Sequence, residues 1–133
     1  MIVDSSAILA ILRDEPDALA YSDALSEAPS LRISAATFVE AALIVDGDRN
    51  AILSRRIEDL LARTGIVVEP FTPEQARIAR DAHRDFGRGS GHPARLNFGD
   101  CFAYALAKSA EEPLLFKGND FTQTDITPAI PQP

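Results

Sequence analysis

The chain has one cysteine, two histidines and few cations, and no apolar run approaches the ~18 residues that a membrane span needs. Each shortage excludes something. Cys101 alone cannot close an internal disulfide, and no Cys/His cluster has zinc spacing, so any metal must sit on carboxylates. Thirteen Lys and Arg against twenty Asp and Glu leave a formal charge of −7, which argues against a protein that coats nucleic acid without specificity. The beginning of the chain, "MIVDSSAILAIL", carries Asp4 and no basic stretch, so neither a signal peptide nor a membrane association is expected, and a cytoplasmic location is.

What is present fits a globular fold. With 133 residues, 46% hydrophobic and 25% charged, the chain can bury a real core and is read as a single domain over 1–133, with a loose tail, "TPAIPQP", from about residue 127. There is no internal repeat. Positive charge is concentrated in residues 49–95, at Arg49, Arg55, Arg56, Arg63, Arg77, Arg80, Arg84, Arg88 and Arg95. Glu58, Asp59, Asp81 and Asp85 lie among them at helical spacing, so surface pairing is expected, with a local basic rim as the alternative.

Apolar periodicity orders the elements. "MIVD" reads as a strand ending in Asp4 and feeding at once into a helix over "SSAILAILRDE". A second helix starts near Pro16 and stops before Pro29, "LRIS" is a second strand, and "SAATFVEAALIV" is a helix capped by Ser34 or Thr37, with Glu40 set among apolar residues. "RNAILSRRIEDLLARTG" is an amphipathic helix stopped by Gly65. "IVVEP" is a third strand, and "TPEQARIARDAHRDFG" opens on Thr72, Pro73 and Gln75 as a capping box and ends at Gly87. The glycine-rich "GRGSGHPARLNFG" reads as a flexible loop, Asp100 opens a further helix in which Phe98, Cys101 and Phe102 are expected in the core, "PLLF" is a fourth strand and "TDI" a short fifth. Strands alternating with helices give an α/β fold, a short, mostly parallel sheet flanked by helices on both faces, and such sheets bind ligands at the carboxyl ends of their strands.

That rule gathers the acids. Asp4 ends the first strand, Glu40 lies in the helix after the second, Asp100 opens the helix before the fourth, and Asp120 follows it. Each has an ordinary explanation as a cap, turn or surface residue. Together, three or four carboxylates set against apolar sequence at one end of a sheet repel unless cations bind between them, and an oxygen-only ligand set suits Mg²⁺ or Mn²⁺. Ser6, one turn into the first helix, is placed to hydrogen-bond a phosphate or a carboxylate, or to cap the helix. Lys117 reads as a solvated loop lysine, Cys101 has no base to make it a nucleophile, and His83 and His92 read as helix-surface and loop residues.

Four blocks, "MIVDSSAILAIL", "ISAATFVEA", "LNFGDCFAYALA" and "LLFKGNDFTQTDI", in this order and spacing, resemble the PIN-domain ribonucleases, and among them the VapC toxins of bacterial toxin–antitoxin pairs. The resemblance runs from Met1 to about Ile126. It implies a PIN-like three-layer α/β/α fold, a Mg²⁺-dependent endoribonuclease that hydrolyses RNA phosphodiesters with activated water, inhibition by a cognate VapB-type antitoxin, and a homodimer. By motif, Asp4, Glu40 and Asp100 carry over as the acidic core. The fourth block departs: where many relatives read Gly-Asp-Asp-Phe, this chain has Gly118-Asn119-Asp120-Phe121, so Asn119 or Asp120 occupies the fourth acidic position. Two other readings remain open. A non-catalytic PIN scaffold that binds RNA has the neutral Asn119 in its favour, and a phospho-receiver domain lacks an acceptor Asp after strand three, where only Glu69 precedes Pro70.

Overall fold

The computed structural model describes residues 1–132. Four short strands, β1 (Ile2–Val3), β2 (Arg32–Ser34), β3 (Val67–Glu69) and β4 (Leu114–Leu115), form one parallel sheet in the order β3-β2-β1-β4. Helices α1 (Ser5–Leu12) and α2 (Ala18–Glu27) connect β1 to β2, and α3 (Ala35–Gly47) and α4 (Ala51–Thr64) connect β2 to β3. Helices α5 (Pro73–Phe86) and α6 (Phe98–Ala110) return the chain across the sheet to β4.

Side chains on a strand alternate between faces, and the two residues of β1 and of β4 show it. Val3 and Leu115 pack into the core shared with α1 to α4; Ile2 and Leu114 enter the core under α5 and α6. The sheet is therefore covered on both sides, as the three-layer expectation requires. The chain steps outward from β1 to β2 to β3, then reverses to place β4 on the other side of β1. The order reverses at the β1/β4 boundary, where Asp4 leaves β1, and such switch points are where open parallel sheets leave a crevice.

Local signals explain most boundaries. Ser34, not Thr37, caps α3, its hydroxyl accepting from the Ala36 N–H at 3.3 Å, while Thr37 is fully buried. Asn50 caps α4, and Gly65 ends it at φ 75°, a left-handed conformation that glycine adopts without strain. Thr72 caps α5 through the Gln75 N–H at 3.1 Å, but the Gln75 side chain donates to the Pro70 carbonyl at 3.3 Å, so only half of the expected capping box forms.

Four expectations are corrected. "TDI" forms no strand: Asp125 accepts from the Tyr104 hydroxyl at 2.7 Å and pairs with Lys108 at 2.8 Å, and the parallel bridge to Leu114 falls at Pro128 instead. The segment read as a loose tail is tied down, with the Leu114 N–H donating to Thr127 O at 3.0 Å, the Ala129 N–H to Leu114 O at 2.8 Å, and Ile130 packed on the core; Pro133 lies outside the described residues. The glycine-rich loop is pinned by a bridge between Gly87 and Leu96, because Ala94 and Leu96 are buried beneath it. Phe98 is not in the core but 78% exposed, whereas Cys101 is buried and Phe102 half-buried. Beyond these four, the apolar residues of the first helix, which with Phe38, Leu43 and Ile44 read in the sequence as a surplus facing a second chain, serve this chain's own core. Ala7, Ile8 and Leu12 are buried, and Leu9, Ile11 and Phe38 pack against them, while Leu43 and Ile44 are exposed.

Candidate active site

Asp4 is both the residue after β1 and the N-cap of α1. One carboxylate oxygen, Oδ2, accepts from the Ser6 N–H at 3.0 Å and from the Ser6 hydroxyl at 2.5 Å. The other, Oδ1, is buried with no partner. Ser6 Oγ in turn accepts from the Lys117 N–H at 2.9 Å, so this one hydroxyl ties the turn after β1 to the loop after β4 and also serves as part of the helix cap. Burial pushes the Asp4 carboxyl up to about 6, against the lowering effect of Ser6 and with a further push from the Glu40 charge.

Asp100 stands at the third position of α6 rather than at its start. Asn97 is the cap, its side-chain oxygen accepting from the Asp100 N–H at 2.8 Å, while Asp100 Oδ2 accepts from the Asn97 N–H at 2.9 Å; the two satisfy each other's orphan amides in a reciprocal box. Asp100 is only 8% exposed, and its carboxyl is pushed up to about 7, first by burial and then by the charges of Asp4, Asp120 and Glu40. Asp100 thus senses the charge of each of the other three acids singled out in the sequence.

Glu40, half-buried on α3, accepts from the Ser5 hydroxyl at 2.7 Å through Oε1. Asp120 is exposed, with no side-chain hydrogen bond among the described residues, yet its charge reaches Asp100. Asn119 is also exposed, and its backbone carbonyl closes the turn by accepting from Thr122. Lys117 is not a free solvated lysine as expected: its ammonium pairs with Glu15 and, at 2.8 Å, with Asp17, which keeps it on α2's side of the cleft. Cys101 donates to the Asn97 carbonyl at 3.4 Å, and burial pushes its thiol up to about 11, which leaves it no nucleophile. His92 accepts from the Ala94 N–H at 3.1 Å and sets its ring edge on Phe86, a structural role. Glu69, the only acid a phospho-receiver could have used, faces Arg32 at 3.8 Å.

The donor set is all oxygen. Among the described residues no group of three Asp, Glu, His or Cys side chains is placed to hold a metal ion by itself, but the buried carboxylates of Asp4 and Asp100, Asp4 with its Oδ1 unpartnered, are what an oxygen-seeking divalent cation would satisfy. The residues fit such an ion.

Two features escaped the sequence reading. Ser5 holds Glu40, a role hinted at only by the doubled serine after Asp4, and Gly99 leaves room for the Glu40 carboxylate beside α6. Phe98, packed edge-on against Phe102 at 4.8 Å, forms a ridge between two grooves. One, about 560 Å³, runs beside Glu40 and is lined by Val39, Leu43, Ile44 and Phe102; the other, about 350 Å³, is lined by Phe71, Arg80, His83 and Cys101.

Comparison with known proteins speaks to family and fold. The profile of the PIN domain family matches residues 1–126. Ribonuclease VapC28 of Mycobacterium tuberculosis is 56% identical over 130 residues, covering 98% of each chain. Among solved structures, Mycobacterium tuberculosis VapC20, described as a toxin that cleaves the sarcin–ricin loop, superposes with a TM-score of 0.76 at 15% identity, covering 95% of each chain. A toxin–antitoxin complex from Klebsiella pneumoniae gives 0.70 at 15% identity, covering 93% of this chain and 92% of that one. At those identities the two structures speak for the fold alone.

Proposed function

The chain belongs to the PIN domain family, and from that premise we propose that Asp4, Glu40, Asp100 and Asp120 form the catalytic, metal-binding site of the enzyme. Within the family the chain is a toxin endoribonuclease of the VapC kind, a hydrolase acting on RNA. The observation that carries the site assignment is the unpartnered, buried Oδ1 of Asp4 beside Asp100, at the point where the strand order reverses.

When bound, a divalent cation such as Mg²⁺ or Mn²⁺ would lower the pKa of water and neutralise charge on the phosphodiester oxygens. Asp4 and Asp100 would hold it. Ser6 fixes Asp4 with two hydrogen bonds to one oxygen and so leaves the other free to ligate. Glu40 would ligate the same cation while orienting the attacking water or taking its proton, and Asp120, exposed at the rim, would supply the fourth acid in place of Asn119. Attack of this kind does not use the 2′-hydroxyl, so the products carry 5′-phosphate and 3′-hydroxyl ends.

Two partners belong to the same reading. A VapB-type antitoxin silences the enzyme, with a segment lying across the acidic cleft and an Arg placed against its carboxylates. A homodimer covers the apolar face of α3 and the head of α6, where Leu43 is 66%, Val39 51% and Phe98 78% exposed. Among the described residues no helix is long and apolar enough to cross a membrane, and the protein acts in the cytoplasm, where its RNA is.

RNA cleavage by the isolated chain with and without Mg²⁺ tests the proposal, with Asp4→Asn and Asp100→Asn as controls. Metal-dependent cleavage lost in both variants is expected. Wild-type activity in either overturns its place in the site.

A further inference from the structure

Gly99 has no conformational reason to be glycine. It lies within α6 and is absent from the positive-φ positions, so any L-residue could adopt its backbone, and a helical glycine costs about 0.5–1 kcal/mol relative to alanine. Its reason is spatial. A Cβ there would fall 1.6 Å from Glu40 Oε2, 2.5 Å from Glu40 Cδ and 3.0 Å from Glu40 Oε1, and these are its three nearest neighbours. The volume of a side chain at 99 is filled by the Glu40 carboxylate.

The opposite flank of that carboxylate is also fixed. Ser5, buried at the first position of α1, donates its hydroxyl to Glu40 Oε1 at 2.7 Å. The two consecutive serines therefore divide the work: Ser6 holds Asp4, and Ser5 holds Glu40. Glu40 comes from α3, a helix that owes nothing in sequence to either clamp, and its charge is felt by both Asp4 and Asp100. Left free, a glutamate with three rotatable bonds would swing toward solvent, away from two other acids.

We infer that Ser5 and Gly99 are positioning residues that clamp the Glu40 carboxylate between the first turns of α1 and α6, on the cation that Asp4 and Asp100 hold. The inference rests on the acidic site being the metal site. Ser5 supplies the directional hydrogen bond, and Gly99 supplies the absence of a side chain. Because the atoms that an alanine at 99 meets are the far end of a flexible side chain, Gly99→Ala displaces Glu40 rather than the fold.

The test is a set of double-mutant cycles read by Mn²⁺ calorimetry on the full chain, with steady-state RNA cleavage alongside. Ser5→Ala and Gly99→Ala each weaken Mn²⁺ binding about tenfold or more, the usual effect of removing an outer partner of a metal ligand, and lower kcat more than they raise KM. Ser5→Thr keeps the hydroxyl and restores binding. In a Glu40→Ala background, Ser5→Ala and Gly99→Ala change nothing further, because the residue they act on is gone. Melting of the metal-free Gly99→Ala protein at or above the wild-type temperature separates loss of position from loss of fold. Equal losses with and without Glu40, or wild-type binding in both single variants, overturn the inference while leaving the metal site intact. A wild type that takes up no Mn²⁺ overturns the metal-site reading, and this inference with it.

Discussion

The two ends of the sheet treat their carboxylates in opposite ways. At the amino end, Glu112 before β4 meets the amino group of Met1 at 2.7 Å and the guanidinium of Arg32, which opens β2; those contacts, led by the terminal amine, hold its carboxyl below the usual range. At the carboxyl end, Asp4 and Asp100 are more deeply buried and are pushed up to about 6 and about 7, chiefly by burial, with a further push on Asp4 from Glu40 and on Asp100 from Asp4, Asp120 and Glu40. The same chain that closes an ion pair at one end leaves the other end without a cation. Lys117, which could have served, is diverted to Glu15 and Asp17. The contrast is in burial and pairing: Glu112 is matched by cationic groups, whereas Asp4 and Asp100 are buried among acids, and under the proposed function a cation from outside would fill that place.

The largest effect that can sharpen this contrast is chemical. Asp4→Asn and Asp100→Asn keep shape and lose charge; each should reduce RNA cleavage by at least about 10²–10³-fold while the metal-free protein melts no lower than wild type, since a neutral amide relieves the repulsion. Gel-based cleavage and thermal melting check both halves. A drop in melting temperature would mean the carboxylates were holding the fold, like Glu112.

Next comes pH. A carboxyl whose folded value is raised binds its proton more tightly in the native state, so metal-free stability falls as pH rises from about 4 through 7 on account of Asp100, which Asp4, Glu40 and Asp120 face. Glu112 has the opposite sign: its lowered value contributes stability present above about 4.5 and lost as pH falls. Urea melts across pH should therefore show Asp100→Asn flattening the neutral-pH decline and Glu112→Gln flattening the acid limb.

Smaller effects follow at the rim and the back. Asn119→Asp adds charge to an oxygen site and should lower the Mg²⁺ concentration for half-maximal cleavage, and Asp120→Asn should raise it; unchanged curves for both would place the "KGND" turn outside the site. Glu112→Gln, part-exposed and screened, should cost no more than about 1 kcal/mol and leave cleavage unchanged.

Much of this was legible in the sequence, and the reasons differ by region. Asp4 was readable because a strand end is visible where "IV" meets a polar residue, and Glu40 because an acid in an apolar helix is conspicuous. Asp100 is legible, but as a helix opener rather than the third residue of a box, since Asn97, the residue just before Phe98, gives the weaker signal. Phe98 was misplaced because a helical side chain leans toward its own N-terminus, so an aromatic in the first turn points past the packed body. "TDI" misled because three residues cannot show a period, and the pairing backbone belonged to Pro128, a residue that strands disfavour. Ser5 and Gly99 were invisible because their meaning lies in where Glu40 arrives from α3, which no local pattern encodes.

The most direct measurement of the central claim is a melting titration with Mg²⁺ or Mn²⁺ at pH 7.5 on the wild type and on Asp4→Asn. The wild type should gain stability steadily with the logarithm of metal concentration. Metal-free Asp4→Asn should start at or above metal-free wild type and should not respond. A wild-type melting temperature unmoved at millimolar metal, or an Asp4→Asn protein that gains as much as wild type, would contradict the claim.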